Sequence, residues 1–209
     1  MNFFITGTDT GVGKTYVTKV LLESLRADGY DAVGYKPVAC GDRDDAYILA
    51  AASGDLPVEE VNPLWLATPA APWVAAKLEN RSIFPQDLID GYRKLADEHE
   101  IVLVEGAGGW EVQITENFSM SDLAAALNIP VCVVVANRLG AINHSVLTCK
   151  AIQARGITLA GIILNHLVDE LDIPMIANKS TIPALAKTPL LCEIIHQQDW
   201  VDHDWITEQ

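Results

Sequence analysis

Residues 7 to 15 read Gly7-Thr8-Asp9-Thr10-Gly11-Val12-Gly13-Lys14-Thr15, a run dense in glycine and closed by a lysine and a hydroxyl. Glycines let backbone N–H groups turn inward and cradle phosphate oxygens. A helix predicted to start at Lys14 adds the positive end of its dipole. Lys14 then reaches the terminal phosphates, and the Thr15 hydroxyl suits Mg²⁺. The common spacing G-x-x-x-x-G-K-[ST] asks for glycine at position 8, where Thr8 stands, and Gly7 comes one step early. The chemistry indicated is nucleoside triphosphate binding, with contacts at Thr10, Gly11, Val12, Gly13, Lys14 and Thr15.

Three more positions carry chemistry after apolar runs. Lys36 stands before Pro37, on a loop that proline stiffens, and is expected to point into a site. Glu105 closes the apolar run Ile101-Val102-Leu103-Val104, where an unpaired carboxylate is costly, so a metal or a lysine partner is expected. Asn165 follows another apolar strand; its amide can donate to and accept from adenine, or it can cap a local turn. His144 and His166 have no second His or Cys at metal-binding spacing.

These residues need elements to hold them. Strands are predicted over Asn2 to Thr6, Ala32 to Lys36, Ile101 to Glu105, Val131 to Ala136, Ala160 to Asn165 and Pro189 to Glu193. Helices are predicted over Lys14 to Ala27, Asp44 to Ala52, Pro85 to Glu98, Ser121 to Leu127 and Asn143 to Ala154. Apolar strands separated by helices imply an α/β fold: a three-layer parallel sheet flanked by helices, like that of phosphate-loop NTPases. Sites in such sheets lie at the carboxyl ends of the strands, where all the residues above fall. The Pro- and Ala-rich stretch Leu56 to Trp73 reads as a long surface excursion or lid.

The 209 residues suit a single domain spanning 1–209. A net charge of −14 repels phosphate backbones, which argues against a nucleic-acid partner. The apolar runs are too short to span a bilayer and no signal peptide is recognisable, so a cytoplasmic enzyme without membrane attachment is expected. None of Cys40, Cys132, Cys149 and Cys192 forms a CxxC pair; the last three read as buried or semi-buried thiols.

Five blocks together resemble the dethiobiotin synthetases. They are Thr6-Gly7-Thr8-Asp9-Thr10 with Val12-Gly13-Lys14-Thr15, Gly34-Tyr35-Lys36-Pro37-Val38, Val104 to Trp110, Leu139-Gly140-Ala141-Ile142-Asn143-His144, and Leu159-Ala160-Gly161 leading to Asn165. They stand in the family's order across residues 3 to 165. The resemblance implies an ATP-dependent ligase of biotin biosynthesis that is a homodimer and requires Mg²⁺. Its reaction closes the ureido ring of dethiobiotin from 7,8-diaminononanoate and CO₂, through a carbamate and a carbamic–phosphoric anhydride.

The same resemblance assigns roles. Lys14, Lys36 and Thr10 become catalytic, and Thr15, Asp45 and Glu105 become Mg²⁺ ligands; Asp42 and Asp44 are neighbours that compete with Asp45. Glu105 and Asn165 join the nucleotide contacts. Lys36, Cys40, Gly106, Gly108, Leu139, Gly140 and Asn143 become substrate contacts. The turn from Leu139 to Asn143 comes from the partner subunit and presents N–H groups to a carboxylate; a helix N-cap is the other role open to Asn143.

Several residues depart from the family pattern. Cys40 stands where serine is usual, and a thiol is the weaker donor. Gly11 stands where several members have glutamate. Ala70-Ala71-Pro72-Trp73 is less polar than usual, and Trp73 either covers the site or packs in the core. Cys192 and Ile195 replace glycine and proline in the segment that borders the purine. Two alternatives compete: a related phosphate-loop ATPase or amidoligase, and a nucleotide-binding paralogue that regulates. Asp9 argues against the partitioning ATPases, which carry a lysine early in the loop; intact Lys14, Thr15, Lys36 and Glu105 argue against the regulator.

Overall fold

The computed structural model describes residues 1–208. Its first half runs β1 (Asn2–Gly7), α1 (Lys14–Ala27), β2 (Ala32–Tyr35), β3 (Val38–Cys40), α2 (Asp44–Ala52), α3 (Val58–Val61), β4 (Leu64–Leu66), α4 (Pro72–Leu78) and α5 (Pro85–Glu98). The second half runs β5 (Ile101–Glu105), β6 (Gln113–Thr115), β7 (Phe118–Ser119), α6 (Met120–Leu127), β8 (Val131–Ala136), α7 (Ala141–Ala154), β9 (Leu159–Asn165), α8 (Ile173–Ala186), β10 (Leu190–Ile194) and α9 (Asp204–Thr207).

Six strands form one parallel sheet in the order β10-β9-β8-β1-β5-β2. β5 and β8 are buried along their whole length because both faces of the sheet are covered. Alternate side chains of one strand therefore serve two cores. Phe4, Val102 and Val104 join α5 and α6 on one face, and Phe3, Ile5 and Leu103 join α1 on the other. The chain leaves β1 toward β2 and later crosses to β8 on its other flank. The crevice where the strand order reverses thus opens beside the end of β1, where the loop of residues 8–13 begins.

The excursion expected over Leu56 to Trp73 is instead built into the fold. β4 pairs in parallel with β3, Leu66 is buried, and Asn62 is fully buried. The Asn62 amide donates to the carbonyls of Lys36 and Leu64, at 2.8 and 3.0 Å, and its side-chain oxygen accepts from Arg43. A polar side chain with every group satisfied is what lets this segment be buried. Helix α8 has no counterpart in the sequence-based expectation. Asp172 caps it by accepting from the Met175 N–H at 2.8 Å, Pro174 lies in its first turn, and Pro183 lies inside it. Helix α7 begins at Ala141, with the left-handed Gly140 at its N-cap, so Asn143 lies within the first turn and does not cap the helix.

Candidate active site

The loop of residues 8–13 joins β1 to α1. Gly11 and Gly13 both adopt positive φ, at 73° and 85°, which places them where side chains are strained. Gly13 is also a close approach: a Cβ there would lie 2.1 Å from Asn165 Nδ2. That Nδ2 donates to the Val12 carbonyl at 2.9 Å, so the end of β9 buttresses the loop. Asn165 Oδ1 is buried with no hydrogen-bond partner among the described residues, an acceptor left for a donor arriving from outside the chain. The turn-capping role open to Asn165 is thereby replaced by a long-range one.

Lys14 Nζ rests 3.2 Å from the Asp9 carbonyl. Burial pulls its pKa down to about 8; Glu105 opposes that shift and Lys36 adds to it. An ammonium held this way is short of anionic partners, and a polyphosphate would supply them.

Beyond the loop, β2 and β5 run side by side with Tyr35 opposite Val104. The next residue of each strand path is Lys36 and Glu105, and the two side chains meet. Lys36 Nζ is 2.5 Å from Glu105 Oε1 and 2.9 Å from Asp45 Oδ2. Burial works against the Lys36 charge, but Glu105 and then Asp45 outweigh it, and its pKa ends above the ordinary lysine value. Burial likewise pushes Asp45 upward, and Lys36 more than offsets it, so this carboxyl sits below the usual range. Glu105 therefore has the lysine partner that its buried position demanded. Of the three neighbouring aspartates, Asp42 and Asp44 are exposed, although Asp42 borders the adjoining cavity, and Asp45 is the one that pairs with Lys36.

Thr15 Oγ1 donates to Glu105 Oε1 at 2.8 Å. Thr15, Asp45 and Glu105 thus present only oxygen donors, the hard ligands that Mg²⁺ takes. Glu105 Oε2 is buried without a hydrogen-bond partner among the described residues. An orphaned carboxylate oxygen costs several kcal/mol, on the order of 1–3 or more, unless a cation or donor meets it. The donor set fits a magnesium ion.

A cavity of about 430 Å³ opens on this cluster. Thr10, Lys36, Cys40, Asp45 and Gly108 line it, with Pro69 to Pro72 as its outer wall. Gly108 has φ 67°, and a Cβ there would meet Val112 at 2.8 Å. Gly106 is buried at the end of β5. Burial and then Glu79 push the Cys40 thiol up to about 11, which keeps it protonated. Trp73 does not line this cavity; it is half-buried in α4 with Lys77 Nζ 3.8 Å above its ring. Leu139, Gly140 and Asn143 are exposed and the chain does not bring them to the cavity. One contributor carried no sequence signal: Asn62 holds the backbone of Lys36. A second cavity of about 410 Å³ opens beyond β9 and β10, beside the segment that the family resemblance set against the purine. His166, Met175, Ile176, Glu193, Ile195 and His196 are among its lining.

Comparison with known proteins places this arrangement. A family described as an AAA domain matches residues 1–202. The chain is 46% identical over 209 residues to the ATP-dependent dethiobiotin synthetase BioD of Akkermansia muciniphila, covering all of this chain and 98% of that one. It is 45% identical over 201 residues to the protein of the same name from an Anaeromyxobacter species, covering 94% and 90%. Among solved structures it resembles a ParA family ATPase from Chlorobium tepidum (TM-score 0.60, 17% identity, 95% of this chain and 84% of that one). It also resembles the septum site-determining protein MinD of Pyrococcus horikoshii, solved with Mg-ADP (TM-score 0.59, 18% identity, 93% and 82%). Those two likenesses establish the phosphate-loop fold alone.

Proposed function

Because the chain belongs to the family of ATP-dependent dethiobiotin synthetases, we propose that it is the ligase that closes the ureido ring of dethiobiotin from 7,8-diaminononanoate, CO₂ and ATP. The observation that carries this is the meeting of Lys14, Lys36, Asp45 and Glu105 between a phosphate-binding loop and a cavity. An anionic carbamate must approach an anionic triphosphate there, and two lysines are the cations available to lower that repulsion.

The triphosphate lies in the loop of residues 8–13 with its terminal phosphate toward Lys14. Thr10 and the N–H groups of Gly11 to Thr15 contact its oxygens. Its nucleoside end then points past Asn165 toward the second cavity. The diamine occupies the first cavity, where Lys36, Cys40 and the backbone at Gly106 and Gly108 surround its amines. One amine takes up CO₂ as a carbamate. The carbamate oxygen attacks the γ-phosphorus and displaces ADP. The second amine attacks the anhydride carbon, closes the ring and expels phosphate. Lys36, held by two carboxylates, is fixed and charged throughout, so it needs no reorganisation as negative charge shifts. Thr15, Asp45 and Glu105 would hold Mg²⁺, which supplies charge neutralisation on the phosphates when bound.

The enzyme is proposed to work as one phosphate-loop domain in the cytoplasm and as a homodimer. Leu139 and Asn143 of one subunit complete the cavity of the other by meeting the substrate carboxylate. Exposed apolar residues on α7 and α8, including Leu147 and Leu185, offer the surface for pairing. The decisive test is phosphate release from MgATP and bicarbonate, with and without the diamine, alongside detection of dethiobiotin. Diamine-dependent dethiobiotin is the expected result. Hydrolysis indifferent to the diamine would favour a simple ATPase.

A further inference from the structure

The chain that follows β10 does not simply end the fold. Its first two residues, Ile195 and His196, form a wall of the second cavity. It then runs back along α1, the helix that begins with the phosphate-binding residues Lys14 and Thr15, and is fastened to it repeatedly. The Tyr16 hydroxyl donates to the Gln198 carbonyl at 2.5 Å. The Val201 N–H donates to Ser24 Oγ at 3.0 Å, and His203 Nε2 is 2.9 Å from Asp28 Oδ2. Tyr16 and Ser24 lie two turns apart on one side of α1, and Asp28 is its C-cap residue. The Trp205 ring meets Phe3 of β1 edge-on at 5.2 Å.

The fastening nearest the cavity is the one at Tyr16. Gln198 is itself the pin of a tight turn. Its side-chain oxygen accepts from the Ile195 N–H at 2.9 Å, its own N–H donates to the Ile195 carbonyl, and its amide donates to the Trp200 carbonyl. Gln197, inside the turn, takes the left-handed φ of 60°. A turn so closed moves as a unit, and Tyr16, the residue after Thr15, ties that unit to the start of α1. Burial, then Asp199 and Glu23, raises the Tyr16 pKa, so the hydroxyl stays a donor across the working pH range.

We propose that Tyr16 and Gln198 form a positioning clamp for the nucleoside half of ATP, setting the distance between the phosphate-binding loop and the Ile195–His196 wall of the base cavity. The clamp rests on the reading that the triphosphate lies in the loop with its base in the second cavity. Neither residue touches the reacting atoms.

The test uses the full-length chain with Tyr16→Phe, which removes one hydroxyl and no ring. Loss of one such hydrogen bond is expected to raise the KM for ATP about threefold to tenfold. kcat at saturating ATP and the KM for the diamine should stay unchanged. Equilibrium binding of inorganic tripolyphosphate, which has no base or ribose, should also stay unchanged, while binding of ATP weakens. Gln198→Ala keeps the Tyr16 bond, which is to the backbone carbonyl, but removes the side-chain bonds that close the turn. It should weaken ATP in the same way, and the double variant should be little worse than either single one, since the bond and the closed turn act in series. Unchanged ATP affinity in Tyr16→Phe overturns the clamp. So does equal weakening of tripolyphosphate, which would place the effect on the loop, or strict additivity of the two substitutions. Should the wild type bind ATP but form no dethiobiotin, the ring-closing assignment fails, while the equilibrium arms still decide the clamp.

Discussion

Lys36 and Glu105, 69 positions apart, meet at 2.5 Å because parallel pairing sets Tyr35 beside Val104, so that Lys36, the first residue past β2, lies next to Glu105, the last residue of β5. Glu105 is fully buried and Lys36 is 3% exposed. In such surroundings the cost of breaking a pair falls on the partner left behind. Lys36→Met is therefore expected to lose about 3–5 kcal/mol of unfolding free energy. The double variant Lys36→Met/Glu105→Gln should recover part of that loss, because the fully buried carboxylate is no longer stranded, although Lys14 loses the support of Glu105. Turnover should behave differently: removing a fixed cation from a charge-developing site costs about a hundredfold or more, and the double variant should not regain it. Denaturant unfolding and kcat, measured on the same three proteins, separate the structural role from the catalytic one. Near-normal turnover in Lys36→Met would refute the assigned role.

Lys14 predicts a pH dependence with two opposite signs. Its folded pKa of about 8 lies below the ordinary lysine value of 10.5. Between these limits the unfolded chain holds more protons than the folded one, so the Lys14 contribution to stability rises with pH through that window and is lost as pH falls through about 8. Lys14→Met should then be more resistant to denaturant than the wild type near neutrality, with the gap closing toward pH 10.5. Nucleotide binding should run the other way. Triphosphate binding favours the charged lysine, so above pH 8 it must take up a proton. Calorimetry in two buffers of different ionisation heat should reveal that uptake, and Lys14→Met should abolish it. Binding without proton uptake in this range would place another group against the phosphates.

The parts of the site legible in the sequence are those where one requirement dominates. β5 and β8 are readable because burial on both faces demands uninterrupted apolar residues. The loop at residues 8–13 is readable because only phosphate binding needs that density of glycine. Lys36 and Glu105 were each identifiable, but their contact depends on the register of β2 against β5, which no local pattern encodes. Helix α8 carries Pro174 and Pro183, residues that ordinarily break a helical pattern. In place, Pro174 sits in the first turn, where a missing N–H costs nothing. The segment around Asn62 looked like surface because its burial rests on hydrogen bonds to Lys36, Leu64 and Arg43 made only after folding. Tyr16 was invisible for a similar reason, since its partner Gln198 is 182 positions away.

Cys40 lines the first cavity, the one proposed to hold the diamine, with a thiol held protonated by a pKa of about 11. The thiolate is the reactive form, so alkylation near neutral pH should be slower than for a free thiol. Cys40→Ser replaces a weak donor with a stronger one of similar size and is expected to preserve or raise turnover. Complete loss of activity in that variant would instead point to chemistry at sulfur.

Gly13 and Asn165 should be energetically coupled, and the coupling can be measured. In Gly13→Ala the new methyl group would lie 2.1 Å from Asn165 Nδ2, and that side chain cannot retreat without giving up Val12. The same substitution also places a Cβ at φ 85°, a left-handed geometry costing about 1–2 kcal/mol. In the wild-type background both penalties act. In an Asn165→Ser background the collision disappears and only the backbone strain remains. Gly13→Ala should therefore weaken ATP binding by much more in the first background than in the second, where about fivefold to thirtyfold is expected from the strain alone. The comparison is made within each background, so any direct contact between Asn165 and the base cancels. Equal losses in both would mean that Asn165 does not set the shape of the loop.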